Sequence, residues 1–252
     1  MLASERKLKI IDLLEQKHSV TVSELTRLFP VSLETIRRDL EALENEGLLK
    51  RVYGGAVSIK KMKNYEQLSR RSSENIEGKT ELAKKASSMI NSGDIIMLDT
   101  GTTAISLAKY IAGLFKSLTV ITNSLSVFHI LSGCPEYKLI LTGGLYLTDE
   151  EAFYGHLAED TLKQLHAGKC FLTPSAVSMN MGISDFVEEL IPLQRQMLVN
   201  ADRAFILADS SKIGTDAMMQ IAPLNTSYTY MTDSGLSADI KDIYKQHNIE
   251  FI

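Results

Sequence analysis

From Asp94 onward, short runs of aliphatic and β-branched residues alternate with stretches of helical periodicity, and this constrains the fold more than any other feature of the chain. "DIIMLD" (94–99), "LTVITN" (118–123), "YKLILTGG" (137–144), "KCFLT" (169–173), "AFILAD" (204–209) and "SYTYMTD" (227–233) read as strands. Helices are expected around 103–113 and 124–132, from near 156, at about 188–200, and just before the closing "IEFI". The strands are apolar along their length rather than alternating, which suits burial on both faces. The expected C-terminal fold is therefore α/β, with a mainly parallel sheet covered on both sides. Ligands in such sheets bind beyond the carboxyl ends of the strands.

Small polar residues gather at those ends. In "DTGTTA" (99–104), Gly101 permits a close backbone turn, and Thr102 and Thr103 offer hydroxyls at a helix N-terminus. Thr122, Asn123 and Ser124 end the next strand, and Gly143 and Gly144 the one after. "ADSSKIG" (208–214) ends a later strand and supplies Lys212 as a mobile cation for a phosphate. One Gly-Thr turn is more often just a helix cap. Four such clusters at equivalent positions favour a shared anion-binding rim.

The first sixty residues follow another pattern. "SERKLKIIDLLEQKH" places Leu8, Ile11 and Leu14 on one helical face, with Ser4 available as its cap. "VTV" (20–22) is a short β-branched run, and Ser23 can cap the helix "ELTRLF". Pro30 stops that helix, and Ser32 caps the next, from Leu33 to about Glu46, which Gly47 ends. Ile36, Leu40 and Leu43 form its buried face, so Arg37 and Arg38 point away from it. "LLKRVYGGAVSI" then reads as a hairpin around Gly54-Gly55.

Helix, helix, short turn, helix and β-ribbon make a winged helix-turn-helix, whose second turn helix enters the DNA major groove. Thr35, Arg37 and Arg38 lie on the exposed N-terminal half of that helix. A guanidinium fork can bond guanine O6 and N7 together or clamp a phosphate. Lys50, Arg51 and Tyr53 fall on the hairpin, where a wing meets the DNA backbone or minor groove. The competing reading pairs Arg37 with Glu41 and Arg38 with Glu34 on a solvated helix face.

"VSLETIRRDLEALENEGLLKRVYGGA" resembles the N-terminal signature of the DeoR family of bacterial transcriptional regulators, with Tyr53 standing where the family usually has His. "DTGTT", "VITNSL", "LTGG" and "LADSSKIG" resemble that family's sensor domain, a fold related to ribose-5-phosphate isomerase that typically recognises phosphorylated sugars. The resemblance implies DNA contacts at Ser32, Thr35, Arg37 and Arg38. It implies an effector surrounded by Asp99, Thr100, Gly101, Thr102, Thr103, Thr122, Asn123, Ser124, Gly143, Gly144 and Lys212. In the helix read as "EELIPLQRQML", where the family tends to carry a lysine, this chain has Gln194 followed by Arg195, and Pro192 is expected to interrupt the early turns.

The charge distribution fits a two-part chain. Residues 1–71 hold 14 Lys+Arg against 10 Asp+Glu, whereas residues 72–252 hold 13 against 21. The expected organisation is a winged helix-turn-helix DNA-binding domain at 1–58, a polar linker at 59–76, and an effector-sensing and oligomerisation domain at 77–252. Cys134 and Cys170 lack metal-ligand spacing and read as reduced thiols, and the histidines are scattered, so no metal or cofactor is expected. The start of the chain lacks the apolar stretch of a signal peptide, and no apolar run is long enough to span a bilayer, which points to the cytoplasm.

The expected function is a sequence-specific transcriptional regulator, a repressor of carbohydrate metabolism genes. Its expected partners are a double-stranded DNA operator and a phosphorylated sugar or related metabolite. Half-site reading calls for a homodimer or homotetramer. The alternative is a sugar-phosphate isomerase- or transferase-like enzyme carrying a DNA-binding module, with Asp99 or Asp209 as general base. No carboxylate–lysine or nucleophile–base pair is evident by spacing, so catalysis is not expected.

Overall fold

The computed structural model describes residues 3–17, 19–46, 48–52, 54–58 and 68–252. Its N-terminal elements are α1 (Ala3–Lys17), β1 (Ser19–Thr21), α2 (Val22–Leu28), α3 (Leu33–Asn45), β2 (Leu49–Val52) and β3 (Gly55–Ser58). Ser32 caps α3, its hydroxyl accepting from the Thr35 N–H at 3.2 Å. Pro30 lies just past the end of α2, as its missing N–H requires. Ile36, Leu40 and Leu43 are buried with Ile10, Leu14, Leu25, Phe29 and Leu49 in one apolar cluster.

Several sequence expectations shift here. Leu8 is 63 % exposed, and the buried stripe of α1 runs instead through Arg6, Ile10 and Leu14. Ser4 lies inside α1, which starts at Ala3, and Thr21 rather than Ser23 caps α2. Val52 pairs directly with Gly55, so Gly55 is a strand residue rather than part of the turn. Gly55 belongs to β3, where a Cβ would stand 2.2 Å from the Val20 carbonyl oxygen of β1. Only glycine allows that approach. Gly47 and Tyr53 lie outside the described residues.

Arg6, a surface residue by type, is part of the core. It is 5 % exposed and forks onto Asp39, 6 % exposed, with Nε–Oδ2 at 2.5 Å and a second nitrogen–Oδ1 bond at 3.1 Å. The Asp39 carboxylate raises the Arg6 pKa above its ordinary value, chiefly through this hydrogen bond. The pair ties α1 to the inner face of α3.

The C-terminal part begins with a short helix inside the expected linker, α4 (Leu68–Arg71), then α5 (Ile76–Ser87). Next come β4 (Ile95–Leu98), α6 (Thr102–Ile111), β5 (Leu118–Thr122), α7 (Leu125–Leu131) and β6 (Tyr137–Leu141). A small hairpin, β7 (Leu145–Leu147) and β8 (Ala152–Tyr154), precedes α8 (His156–Lys163) and β9 (Ala167–Leu172). Then follow β10 (Ala176–Ser178), β11 (Gly182–Asp185), α9 (Ile191–Val199), β12 (Ala201–Leu207), β13 (Met219–Ala222), β14 (Thr229–Met231) and α10 (Ala238–Lys245). Pro192 stands in the first turn of α9 and starts that helix rather than interrupting it.

The main sheet runs β14-β12-β9-β4-β5-β6, and every neighbouring pair is parallel. Strand alternation divides the core in two. Ile96, Leu98, Phe171 and Phe205 face the side covered by α5, α6 and α7. Met97, Cys170, Leu172 and Ile206 face the side covered by α8, α9 and α10. That second side also packs an antiparallel sheet, β10-β11-β13, which the sequence pattern does not announce. No helix of the described residues is long and apolar enough to cross a membrane.

Breaking a buried charge pair costs about 3–5 kcal/mol because the surviving charge is stranded. Asp39→Ala is expected to destabilise the N-terminal fold by that order, read as an earlier transition in urea. Arg6→Met with Asp39→Leu should recover most of the loss. Equal instability of the single and double variants would refute this account.

Candidate nucleic-acid interface and effector site

On α3, the side that does not pack inward carries Arg37 and Arg38, both exposed. Arg38 lies 3.9 Å from Glu34, and its side chain is 78 % exposed, so this ion pair is loose and solvated. Arg51 reaches back toward Glu41 and Glu44, each at 3.9 Å, and its N–H donates to Glu44 Oε1 at 2.8 Å. That network carries Glu41, which the competing reading pairs with Arg37, toward the wing instead. Lys50 is exposed beside it. Ser32 and Thr35 are joined to one another, their hydroxyl oxygens 2.9 Å apart, so Ser32 shapes the start of the helix before it meets anything else. A groove of about 490 Å³ separates α3 from the wing, with Ser23, Leu33, Arg37, Arg51 and Gly54 among its lining residues. The surface can accept a phosphate chain on two arginines while Arg38 stays free to turn outward.

The second site forms where the parallel strands end. Leu98 of β4 pairs with Phe171 of β9 on one side and Thr122 of β5 on the other. The next residues, Asp99 and Asn123, therefore stand side by side beyond the sheet, with Thr100 and Thr173 following. Asp99 Oδ2 accepts from the Thr173 N–H at 3.1 Å and from Gln194 Nε2 at 3.4 Å. Gln194, on α9, also donates to Asp185 Oδ2 at 3.0 Å, so one amide bridges two carboxylates. Asp185 is further held by the Ser175 hydroxyl at 2.6 Å and the Phe186 N–H at 2.7 Å.

Gly101 turns the chain into α6 at a φ of 101° and has no side chain to cap it, leaving the first-turn N–H groups to other partners. Of six buried side-chain polar atoms without a hydrogen-bond partner among the described residues, four belong to residues of these strand ends and the helices beside them: Asp99 Oδ1, Thr103 Oγ1, Asn123 Oδ1 and Gln194 Oε1. Burial raises the Asp99 pKa from 3.8 to about 7, reinforced by the Asp185 charge, while the N–H groups of Thr173 and Thr100 and the Gln194 amide pull it back. Cys170, buried beneath, has its thiol pushed well up by desolvation and by the Asp99 charge.

The other expected rim residues divide by what already occupies them. Ser124 caps α7, the Thr122 hydroxyl accepts from the Ser124 N–H at 3.0 Å, and the Thr100 hydroxyl donates to the Glu150 carbonyl at 3.3 Å. Thr102 is buried in the first turn of α6, where its carbonyl accepts from Ser106. Gly143 and Gly144 sit past β6, and a Cβ on Gly144 would stand 2.5 Å from the Tyr154 carbonyl oxygen. Lys212 Nζ donates to the Pro174 carbonyl at 2.9 Å, which anchors it near the end of β9. Arg195 bonds the carbonyls of Gln220 and Ile221 and plays no part at Asp99.

Asp185, Thr173 and Glu150 are missed by sequence reasoning. Glu150 is 2 % exposed and receives Arg71 of α4 on both carboxylate oxygens at 2.5 Å. The backbone after it is fastened to the rim: Phe153 N–H donates to the Asn123 carbonyl at 2.8 Å, and Asn123 Nδ2 donates to the Phe153 carbonyl at 3.2 Å. No cluster of three or more His, Cys, Asp or Glu side chains able to hold a metal occurs among the described residues.

A family model described as the DeoR-like helix-turn-helix domain matches residues 6–62, and one described as the DeoR C terminal sensor domain matches residues 74–234. The chain belongs to the DeoR family. It is a helix-turn-helix transcriptional regulator, similar over nearly its whole length to others of that kind. The HTH-type regulator YulB of Bacillus subtilis (strain 168) is 40% identical over 94% of this chain and 91% of its own. GolR of Listeria innocua is 35% identical over 98% and 95%. The lactose phosphotransferase system repressor of Lactococcus lactis is 35% identical over 95% and 94%. Among solved structures, ribose 5-phosphate isomerase A of Methanocaldococcus jannaschii matches 56% of this chain and 55% of its own at 18% identity and a TM-score of 0.42.

In the DeoR sensor domain, the raised Asp99 pKa has a pH consequence. The folded chain holds the Asp99 proton up to about 7, whereas its ordinary value is 3.8. Between these values the folded state binds the extra proton, so stability falls as pH rises through that window and levels off above it. The slope from this one group is at most about 1.4 kcal/mol per pH unit. Asp99→Asn, followed by thermal unfolding from pH 4 to 8, should flatten the decline. An unaltered decline would place the titration elsewhere.

Proposed function

We propose that this DeoR-family regulator is a repressor of carbohydrate metabolism genes. Residues 1–58 read a DNA operator, residues 59–76 connect, and residues 77–252 sense a phosphorylated sugar and assemble the homo-oligomer in the cytoplasm. The observation that carries the DNA assignment is the outward pair Arg37 and Arg38 on a capped, core-anchored α3, beside a wing bearing Lys50 and Arg51. Arg38 reads a base edge, while Arg37, Arg51 and Lys50 neutralise phosphates. Ser32, Thr35 and Tyr53 complete the DNA contact set. Relatives named as the lactose phosphotransferase system repressor and the putative aga operon transcriptional repressor support the sugar and repressor readings, although another is named as an L-fucose operon activator.

The effector binds among Asp99, Thr100, Gly101, Thr102, Thr103, Thr122, Asn123, Ser124, Gly143, Gly144 and Lys212. Its phosphate lies against open N–H groups at the start of α6, where the helix dipole favours negative charge. The domain holds its ligand rather than turning it over. Asp99 is bridged through an amide to a second carboxylate, and no lysine or histidine among the described residues is bonded to it, so no acid–base pair is assembled. Binding acts through differential affinity for two arrangements of the oligomer. A direct route to the connector runs from the Thr100 hydroxyl to the Glu150 carbonyl, and from the Glu150 carboxylate to Arg71.

In a gel-shift titration on the operator, Arg38→Ala should lose about 1–3 kcal/mol of specific affinity while keeping its thermal midpoint. Arg37→Ala should weaken specific and non-specific DNA alike and reduce the salt slope. Undiminished operator affinity in Arg38→Ala would reject the base contact. Glu150→Gln should still bind operator but respond to effector at least about tenfold less, given coupling energies of about 1–3 kcal/mol. A normal response would exclude the Arg71 route.

A further inference from the structure

The four unpartnered atoms at the strand ends share one chemical character. Asp99 Oδ1, Asn123 Oδ1 and Gln194 Oε1 can only accept while the carboxylate is ionised, and Thr103 Oγ1 can accept as well. The orientation of each amide is fixed by its other end: Asn123 Nδ2 is spent on the Phe153 carbonyl, and Gln194 Nε2 is spent on Asp99 and Asp185. Each of the four residues is only 1 % exposed, so bulk water does not relieve them. Leaving such groups unpaired is costly, which marks the place as built to receive donors.

We infer that the effector meets Asp99, Asn123, Gln194 and Thr103 with a neutral polyol end, its hydroxyls donating to these acceptors, and that an acid group is rejected there. This rests on the reading of the strand ends as the effector site and names the chemistry of one end of the ligand. Gln194 is the specificity-determining residue. Its amide occupies the space between the Asp99 and Asp185 carboxylates with no net charge. An incoming carboxylate therefore meets two acidic side chains bridged by one uncharged amide and, among the described residues, no cation bonded to either. A single ammonium group fits less well than a polyol. The acceptors come from the ends of two strands and from two helices, α6 and α9, and this dispersion suits several separate O–H donors along a chain.

The test uses the full-length protein and calorimetric titration with matched pairs of compounds. Alditol phosphates of four, five and six carbons are compared with their aldonate phosphates, alongside glucosamine 6-phosphate and inorganic phosphate. At least one alditol phosphate should bind, with its aldonate partner weaker by about tenfold or more, comparable to the worth of one hydrogen bond to a charged group. Gln194→Lys should narrow or invert that preference. Thr103→Val should leave the ligand-free thermal midpoint unchanged or higher, since it removes an unbonded buried hydroxyl, yet weaken the alditol phosphate several-fold.

An aldonate phosphate binding as tightly as its alditol partner would overturn the inference. So would tighter binding of glucosamine 6-phosphate, inorganic phosphate matching the best alditol phosphate, or no loss of affinity in Thr103→Val. Each of these outcomes leaves the effector site itself standing. Absence of binding by every compound, inorganic phosphate included, would instead remove the sugar-phosphate reading, and this inference with it.

Discussion

β4 is hydrogen-bonded on both sides, to β9 and to β5, and its side chains enter apolar layers above and below the sheet. A strand held this way cannot slip by one residue without driving Ile96 and Leu98 into the layer that holds Met97. Its register therefore fixes where the chain leaves the sheet, and Asp99 is the first residue to leave. Asp99 is carried into a place with little water, where a carboxylate is disfavoured. The N–H groups of Thr173 and Thr100 and the Gln194 amide are the groups that make its position tolerable. Desolvation at this seam is the cost on which the sensor site is built, and the unpartnered acceptors beside it are its visible remainder.

What the sequence makes legible follows from how local each signal is. The capped helix at 33–45 is readable because Ser32, Pro30 and the Ile36–Leu40–Leu43 spacing are all near neighbours. The parallel strands are readable because burial on both faces leaves a continuous apolar run. The β10-β11-β13 sheet is not, since two of its strands are separated by only a few residues and the third comes more than thirty residues later. Arg6 reads as a surface residue by type. Only its fork onto Asp39, thirty-three positions away, makes it a core residue, and that pairing belongs to tertiary structure.

The candidate site divides the same way. Asp99, Gly101, Thr103 and Asn123 follow directly from the rule that polar residues collect at the carboxyl ends of parallel strands. Thr100, Thr122 and Ser124 are picked out by the same rule, but their hydroxyls are engaged in holding the loops in shape. Sequence alone cannot separate the two groups, because the same residue types serve both tasks. Asp185 and Gln194 arrive from β11 and α9; the family resemblance marks position 194, but that its amide bridges Asp99 and Asp185 belongs to tertiary structure.

Regulation requires that a ligand at the strand ends alter something beyond them, and a buried ion pair is a suitable element for that. One Arg71 nitrogen, Nη2, bonds both oxygens of Glu150, which is almost fully enclosed, so separating the pair strands a charge and is unfavourable. The Glu150 backbone is bonded to Thr100, in the loop that turns around the proposed effector, while its carboxylate holds the helix that closes the connector. A ligand that shifts the 99–103 turn is therefore linked through Glu150 to the connector. A coupling of about 1–3 kcal/mol, enough for a roughly 5–150-fold change in operator affinity, lies within what one such pair can supply.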